Sequence, residues 1–265
     1  MKTILITGAT DGIGLETARM LSAAGHTLLL HGRSAAKLDA AADSVRASGS
    51  EVETYLADMS RLAEIPAMAE AIAQRHDKLD VIINNAGVLK TPVTTTPEGL
   101  DVRFVVNTLA PYLLAKRLLP TLAPDGRIVN LSSAAQAPVS IEALTGHKSL
   151  NDMDAYSQSK LALTIWSQEL AREVSDGQVC VAVNPGSLLA SKMVKEGFGI
   201  AGNDLSVGAG ILAKAALSEI FADANGRYFD NDSGQFASPH PAAGDKAAAS
   251  ELMRVMQQTV ERLLA

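Results

Sequence analysis

Short runs of β-branched and aliphatic residues alternate with Ala-rich amphipathic segments along most of this chain. That alternation restricts the fold more than any other feature. The spacing predicts strands over 3–6, 27–30, 51–56, 81–83, 127–131 and 179–183, and helices over 12–24, 35–47, 61–75, 100–119 and 155–174. Parallel strands need crossovers long enough to hold a helix, and those crossovers are right-handed. The pattern therefore predicts an α/β fold, a doubly wound parallel sheet with helices on both faces. A short last strand is expected over 226–229, then a terminal helix from about Asp245 carrying Leu252, Val255, Met256 and Leu263 on one face. No repeat or low-complexity linker divides the 265 residues, so they are read as a single domain long enough to bury a sizeable core.

Composition narrows the class. Apolar residues make up 47% and charged residues 20%, the balance of a globular chain. A net charge of −6 with no basic tract argues against nucleic acid as a partner. The single cysteine, Cys180 in "VCVAV", can form no internal disulfide; it reads as a buried hydrophobe in a reducing, cytoplasmic protein. The first apolar run breaks at Thr7-Gly8, so neither a secretory signal nor a membrane span is expected. His26, His31, His76, His147 and His240 are scattered, without the carboxylate or thiol spacing of a metal site.

"ITGATDGIG" follows the first strand and opens the first helix, with glycines at 8, 12 and 14. Glycines in that context allow a tight turn and let a pyrophosphate approach the helix N-terminus. Turn glycines without a ligand are the alternative. Further on, "AYSQSKLALTIW" sets Tyr156 and Lys160 one helical turn apart on the same face. A buried ammonium beside a phenol is expected to draw the phenol pKa down from about 10, giving an acid or base near neutral pH. Tyr-x-x-x-Lys also arises by chance, and the rest of the chain decides.

"TGATDGIG", "NNAG" (84–87), "IVNLSS" (128–133), "YSQSK" (156–160) and "NPG" (184–186) occur in that order. Over essentially its whole length the chain resembles the short-chain dehydrogenase/reductase family. The resemblance implies a Rossmann sheet, a nicotinamide cofactor and oxidoreduction. By resemblance, Tyr156 passes the proton to or from the substrate oxygen, and Lys160 tunes it and binds the nicotinamide ribose. Ser133 polarises the carbonyl, while Ser132 points elsewhere if the segment is extended. Asn107 matches the fourth catalytic position. Pro111, four residues on, has no N–H for the Asn107 carbonyl, which leaves room for a water relay toward Lys160 or for a kink with no function.

The implied cofactor set comprises Gly8, Thr10, Asp11, Gly12, Ile13 and Gly14 in the turn, then Asp58, Met59, Asn85, Ala86 and Gly87, then Pro185 and Gly186, with Tyr156 and Lys160. Asn84 is equally a structural residue or a contact. After the second strand, "LLLHGRS" has Gly32 where an acid would favour NAD(H), followed by Arg33 and Ser34, which can hold a 2′-phosphate. NADP(H) is therefore preferred over NAD(H), with a solvated Arg33 as the competing reading. Asp11 counts against that preference, since many NADP-preferring relatives carry a basic residue in the glycine turn.

The gap between Ser133 and Tyr156 exceeds that of compact relatives. With "FDNDSGQ" near the C-terminus it is similar to the retinol-dehydrogenase-like branch, which raises apolar or aromatic carbonyl substrates. The reaction most favoured is reduction of an aldehyde or ketone; NAD-dependent alcohol oxidation, C=C reduction and a non-catalytic nucleotide-binding protein are the alternatives. Segments 134–155 and 187–205 are expected to border the substrate, through Val139, Ile141, Leu144, Leu188, Leu189, Met193 and Phe198. Gly197, Gly199 and Gly202 mark 187–205 as a lid loop. By analogy with relatives a homodimer or homotetramer is one expectation, with a monomer as the alternative.

Overall fold

The computed structural model describes every residue except Ser48, Ser191, Lys192, Val194, Glu196, Gly197, Phe198 and Ile200. Eight strands form one sheet: β1 Thr3–Ile6, β2 Thr27–Gly32, β3 Val52–Leu56, β4 Leu79–Asn84, β5 Leu122–Leu131, β6 Val179–Asn184, β7 Tyr228–Asp230 and β8 Gln235–Ala237. Their order is β3-β2-β1-β4-β5-β6-β7-β8, and β1 to β7 are parallel. The order reverses between β1 and β4, and such a switch point opens a crevice at the carboxyl ends of the strands.

The longer helices among the described residues are α1 (Gly12–Ala23), α2 (Ala35–Arg46), α3 (Glu64–Arg75), α4 (102–118), α5 (Asp152–Leu170), α6 (Leu205–Leu217) and α7 (Lys246–Leu264). Side chains alternate faces along each strand, so the sheet builds two cores. Ile4, Ile6, Leu28, Leu30, Val129 and Val181 pack toward α1, α2 and α6. Leu5, Leu29, Ile82, Ile128 and Cys180 pack toward α3, α4, α5 and α7. The buried face of α7, with Leu252, Val255, Met256 and Val260, joins the same cluster as Tyr112 and Trp166.

The departures from the sequence pattern have local causes. β5 starts at Leu122, earlier than the pattern, because Leu122 pairs with Leu79 before residues 123–126 bulge out and the regular register resumes at Arg127 opposite Val81. α5 starts at Asp152, capped by the Asn151 side chain, which accepts from the Asp154 N–H at 2.9 Å. The buried Arg103 guanidinium ties that end of α5 to α4 through Asp101 and Asp152. β8 pairs antiparallel with β7; its three residues are too few to show a period, and its anchor is Phe236 in an aromatic cluster with Phe221 and Phe229. α4 widens into a π turn over Val105–Leu109, where the Ala110 N–H bonds the Val105 carbonyl just before Pro111. Such wide turns cluster at functional sites.

Candidate active site

The carboxyl ends of β3, β2, β1, β4, β5 and β6 line one cavity of about 650 Å³. That is the size of a small-molecule or cofactor site. The sheet order fixes what lies along it. Asp58 and Met59 follow β3; Arg33 and Ser34 follow β2; Gly8, Thr10, Asp11, Gly12, Ile13 and Gly14 follow β1. Asn85, Ala86 and Gly87 follow β4, Ser133 follows β5, and Pro185 and Gly186 follow β6, with Tyr156 and Lys160 reaching in from α5.

The glycine turn is braced before any ligand is considered. Gly8 holds φ +64°, a left-handed conformation that side-chain-bearing residues resist. A Cβ on Gly14 would fall 2.4 Å from the Gly8 carbonyl oxygen and 2.4 Å from Asn85 Nδ2, so only glycine lets these backbones meet. The Asn85 amide donates to the Thr7 and Gly8 carbonyls at 2.8 and 3.1 Å, tying the turn to β4. The Asp11 carboxylate accepts from the Gly12 N–H at 2.7 Å as the N-cap of α1, which turns its charge back onto the helix end. These features fit a dinucleotide pyrophosphate.

His31 joins this brace, and the sequence alone offered no sign of it beyond a histidine at a strand end. Its Nε2–H donates to the Ala57 carbonyl at 3.0 Å, so Nδ1 is the free acceptor and takes the Gly8 N–H at 3.2 Å. Burial lowers its pKa and keeps the ring neutral, as that pairing requires. At the same end of the cavity Arg33 and Lys37 are exposed. Ser34 leaves its hydroxyl uncommitted at the α2 cap. A Cβ on Gly32 would lie 2.4 Å from Thr10 Cγ2, so the position that would carry a ribose-binding acid is closed by a neighbour.

At the other end, Ser132 and Ser133 face opposite ways. Both border the cavity, but Ser132 Oγ is buried against Thr164 Oγ1 at 2.7 Å, whereas the Ser133 hydroxyl has no such partner behind the wall. Ser133 Oγ accepts the Ala135 N–H at 3.1 Å, which leaves its own proton to donate outward. Lys160 Nζ donates to the Leu131 carbonyl at 2.7 Å and stands 5.7 Å from the Tyr156 ring centroid. Burial pushes Lys160 down to about 8. Tyr156 departs from expectation: burial raises its pKa, and the Ser133 hydroxyl, not Lys160, is what opposes the rise.

Of the expected catalytic and cofactor residues, Asn107 alone lies outside the cavity lining. Its amide is spent behind the wall: Oδ1 accepts the Val88 N–H at 2.8 Å, and Nδ2 donates to the Val88 carbonyl and to Ser159 Oγ, both at 2.9 Å. Asn84 is also buried, donating to Asn130 Oδ1 at 2.8 Å, and takes the structural alternative. Leu144 is a core residue with no exposure, and Val139 and Ile141 pack on the same core, so these three pin their own loop and do not line the cavity. From 134–155 only Ala134, Ala135 and Met153 reach it; from 187–205 Ser187, Leu188, Leu189 and Met193 do. Gly197 and Phe198 lie outside the described residues. Among the described residues no group of three His, Cys, Asp or Glu could hold a metal ion, and no helix is long and apolar enough to cross a membrane.

A family model described as short chain dehydrogenase matches residues 2–198. Human retinol dehydrogenase 13 is 32% identical over 282 residues, covering 95% of this chain and 82% of that protein. An uncharacterized protein from Mycobacterium paratuberculosis has a structure that superimposes with TM-score 0.82 and 27% identity, covering 98% of this chain and 94% of that one. A short chain dehydrogenase from Shigella flexneri 2a str. 301, complexed with NADP, gives TM-score 0.70 and 26% identity over 87% of this chain and 96% of its own.

Proposed function

The chain belongs to the short-chain dehydrogenase/reductase family and is an oxidoreductase with a nicotinamide cofactor, and from that premise we propose that it reduces apolar or aromatic aldehydes and ketones with NADPH. One observation carries the reading: a single cavity is lined at one end by Arg33, Ser34 and the glycine turn, and at the other by Ser133, Tyr156 and Lys160. NADPH, when bound, supplies the hydride that reaches the carbonyl carbon. Gly8 to Gly14 hold its pyrophosphate, and Arg33 with Ser34 hold the 2′-phosphate that separates it from NADH. The complex of the Shigella flexneri structural neighbour with NADP supports that preference.

Ser133 donates a hydrogen bond to the carbonyl oxygen and polarises it. The Tyr156 phenol, kept protonated by its raised pKa, gives that oxygen its proton as the hydride arrives. Lys160 keeps a positive charge beside the phenolate left behind. Lys160 Nζ and Asn107 Oδ1 flank Gly87, at 3.5 and 3.4 Å from where its Cβ would stand, and a water on the Asn107 backbone carbonyl would link toward Lys160 to return the proton. Val88, Leu89, Met153, Leu188, Leu189 and Met193 give the substrate end an apolar wall, suited to a carbonyl compound with little polar surface.

NADPH oxidation should be followed with benzaldehyde, acetophenone, all-trans-retinal and glyceraldehyde. The apolar carbonyls should turn over with the larger kcat/KM. Tyr156→Phe should cut kcat by about 10²-fold or more, the usual worth of a positioned acid, with NADPH binding unchanged. Wild-type turnover in Tyr156→Phe, or preference for glyceraldehyde, would remove the proton donor or the substrate class from this reading.

A further inference from the structure

The match to the family model stops at residue 198, yet the chain beyond it returns to the reaction end of the cavity. Tyr228 in β7 is 5% exposed and does not line the cavity, but its hydroxyl donates to the Ser133 carbonyl at 3.1 Å. The Gln136 amide donates to the same carbonyl at 2.9 Å. Gln136 is itself held by the C-terminal segment, because its Oε1 accepts the His240 N–H at 3.0 Å. A carbonyl has two lone pairs, and here both have donors.

Past Leu131 the 132–136 segment has left β5 and runs as irregular chain, where nothing periodic would fix it. We propose that Tyr228 and Gln136, locked by the chain after residue 226, are positioning residues that set the Ser133 backbone so that its hydroxyl faces the substrate. The brace acts on the peptide plane behind the side chain. With the Ser133 carbonyl pinned from behind, Ala135 N–H is presented to Ser133 Oγ, and the serine proton is turned into the cavity. The same turn after β7 secures the neighbouring wall, since Asp232 accepts from the Ser187 N–H at 2.7 Å and the Ser187 hydroxyl at 2.6 Å. The motif "FDNDSGQ" thereby gains a role at the site. The inference rests on Ser133 acting on the carbonyl as argued above.

Tyr228→Phe removes one oxygen and keeps the ring in place; Gln136→Met removes the second donor at similar volume. Each should lower kcat about tenfold, as misplacement of a reacting group does, while KM, NADPH affinity and Tm stay close to wild type. The kinetics use the panel carbonyl with the largest kcat/KM. In a Ser133→Ala background neither substitution should cost further turnover. Independently of any substrate, hydrogen exchange in the peptide spanning 131–136 should quicken in both variants with NADPH bound. Unchanged exchange in both variants overturns the brace. An equal kcat loss with and without Ser133 also overturns it, because the residues would then act by another route. Quickened exchange with full turnover in Ser133→Ala overturns the assigned role of Ser133 and leaves the brace as backbone packing alone.

Discussion

The two ends of the cavity are built differently. At the cofactor end, position is set by backbone and polar cross-links: Gly14 against the Gly8 carbonyl, Asn85 across to β1, and His31 between β1 and the end of β3. At the substrate end, beyond Ser133 and Tyr156, the wall is aliphatic and sulfur-bearing side chains, with Met153 and Leu188 about two-fifths exposed. Crossed hydrogen bonds define one geometry, because any shift leaves a buried donor unpaired. Apolar walls yield to the shape of what enters. The pairing fits the proposed function, with one cofactor held in a fixed pose and substrates of varied shape.

The sharpest test of that contrast is at the cofactor end. Arg33→Ala should weaken NADPH binding tenfold or more, since a charge-assisted contact contributes about 1.5–3 kcal/mol, and leave NADH nearly untouched. Fluorescence titration of both cofactors measures it. Equal weakening of the two would make Arg33 a support for the fold. Gly32→Asp should favour NADH only when Thr10 is trimmed as well, because the new Cβ would meet Thr10 Cγ2 at 2.4 Å.

Much of the cofactor end was legible in the sequence, because glycine spacing between a strand and a helix reports backbone geometry directly. The parallel sheet was legible because short apolar runs, buried on both faces, alternate with helical segments along the chain. What was hidden depends on contacts between distant segments. Leu144 looks like any apolar loop residue until its helix, Ile141–Leu144, is seen packed into the core. Asn107 carries the motif's identity, but only the structure gives its amide to Val88 and Ser159. The Tyr156 shift runs opposite to the expectation because an i, i+4 spacing shows a nearby charge and says nothing of burial. Tyr228 could have been suspected only from a tyrosine opening the short strand before "FDNDSGQ".

A smaller effect should follow pH at His31. Its folded pKa lies below its ordinary value of 6.5, so the folded protein takes up that proton less readily than the unfolded chain. The associated stability is present above pH 6.5 and is lost as pH falls through the folded pKa. Protonated Nδ1 would also face the Gly8 N–H donor to donor. Asp58, the charged group acting on the ring, favours the proton but does not outweigh burial. Tm and NADPH affinity should therefore fall together below pH 6.5 in the wild type, by less than the Arg33 effect. His31→Asn can offer an acceptor to Gly8 without titrating, so its profile should be flatter. Parallel profiles would take His31 out of the brace.

At the substrate end the smallest change is expected from Leu188, the one non-glycine residue with positive φ among the described residues, at +53°. A left-handed leucine costs about 1–2 kcal/mol, and the cost is held in place by neighbours. The Asn203 N–H donates to the Leu188 carbonyl, and the Ala190 N–H to the Asn203 carbonyl, both at 2.6 Å. The strained backbone keeps a side chain that is 43% exposed at the cavity wall, where solvent gives it little reason to stay. Leu188→Gly releases the strain and deletes the wall together. Tm should hold or rise, while KM for all-trans-retinal rises about three- to tenfold, as part of the roughly 1.5–3 kcal/mol of a buried leucine is lost. KM for benzaldehyde should change less, and NADPH affinity not at all. If both carbonyl compounds keep their KM, the strain at Leu188 serves the pairing with Asn203 and the apolar wall begins deeper, at Leu189 and Met193.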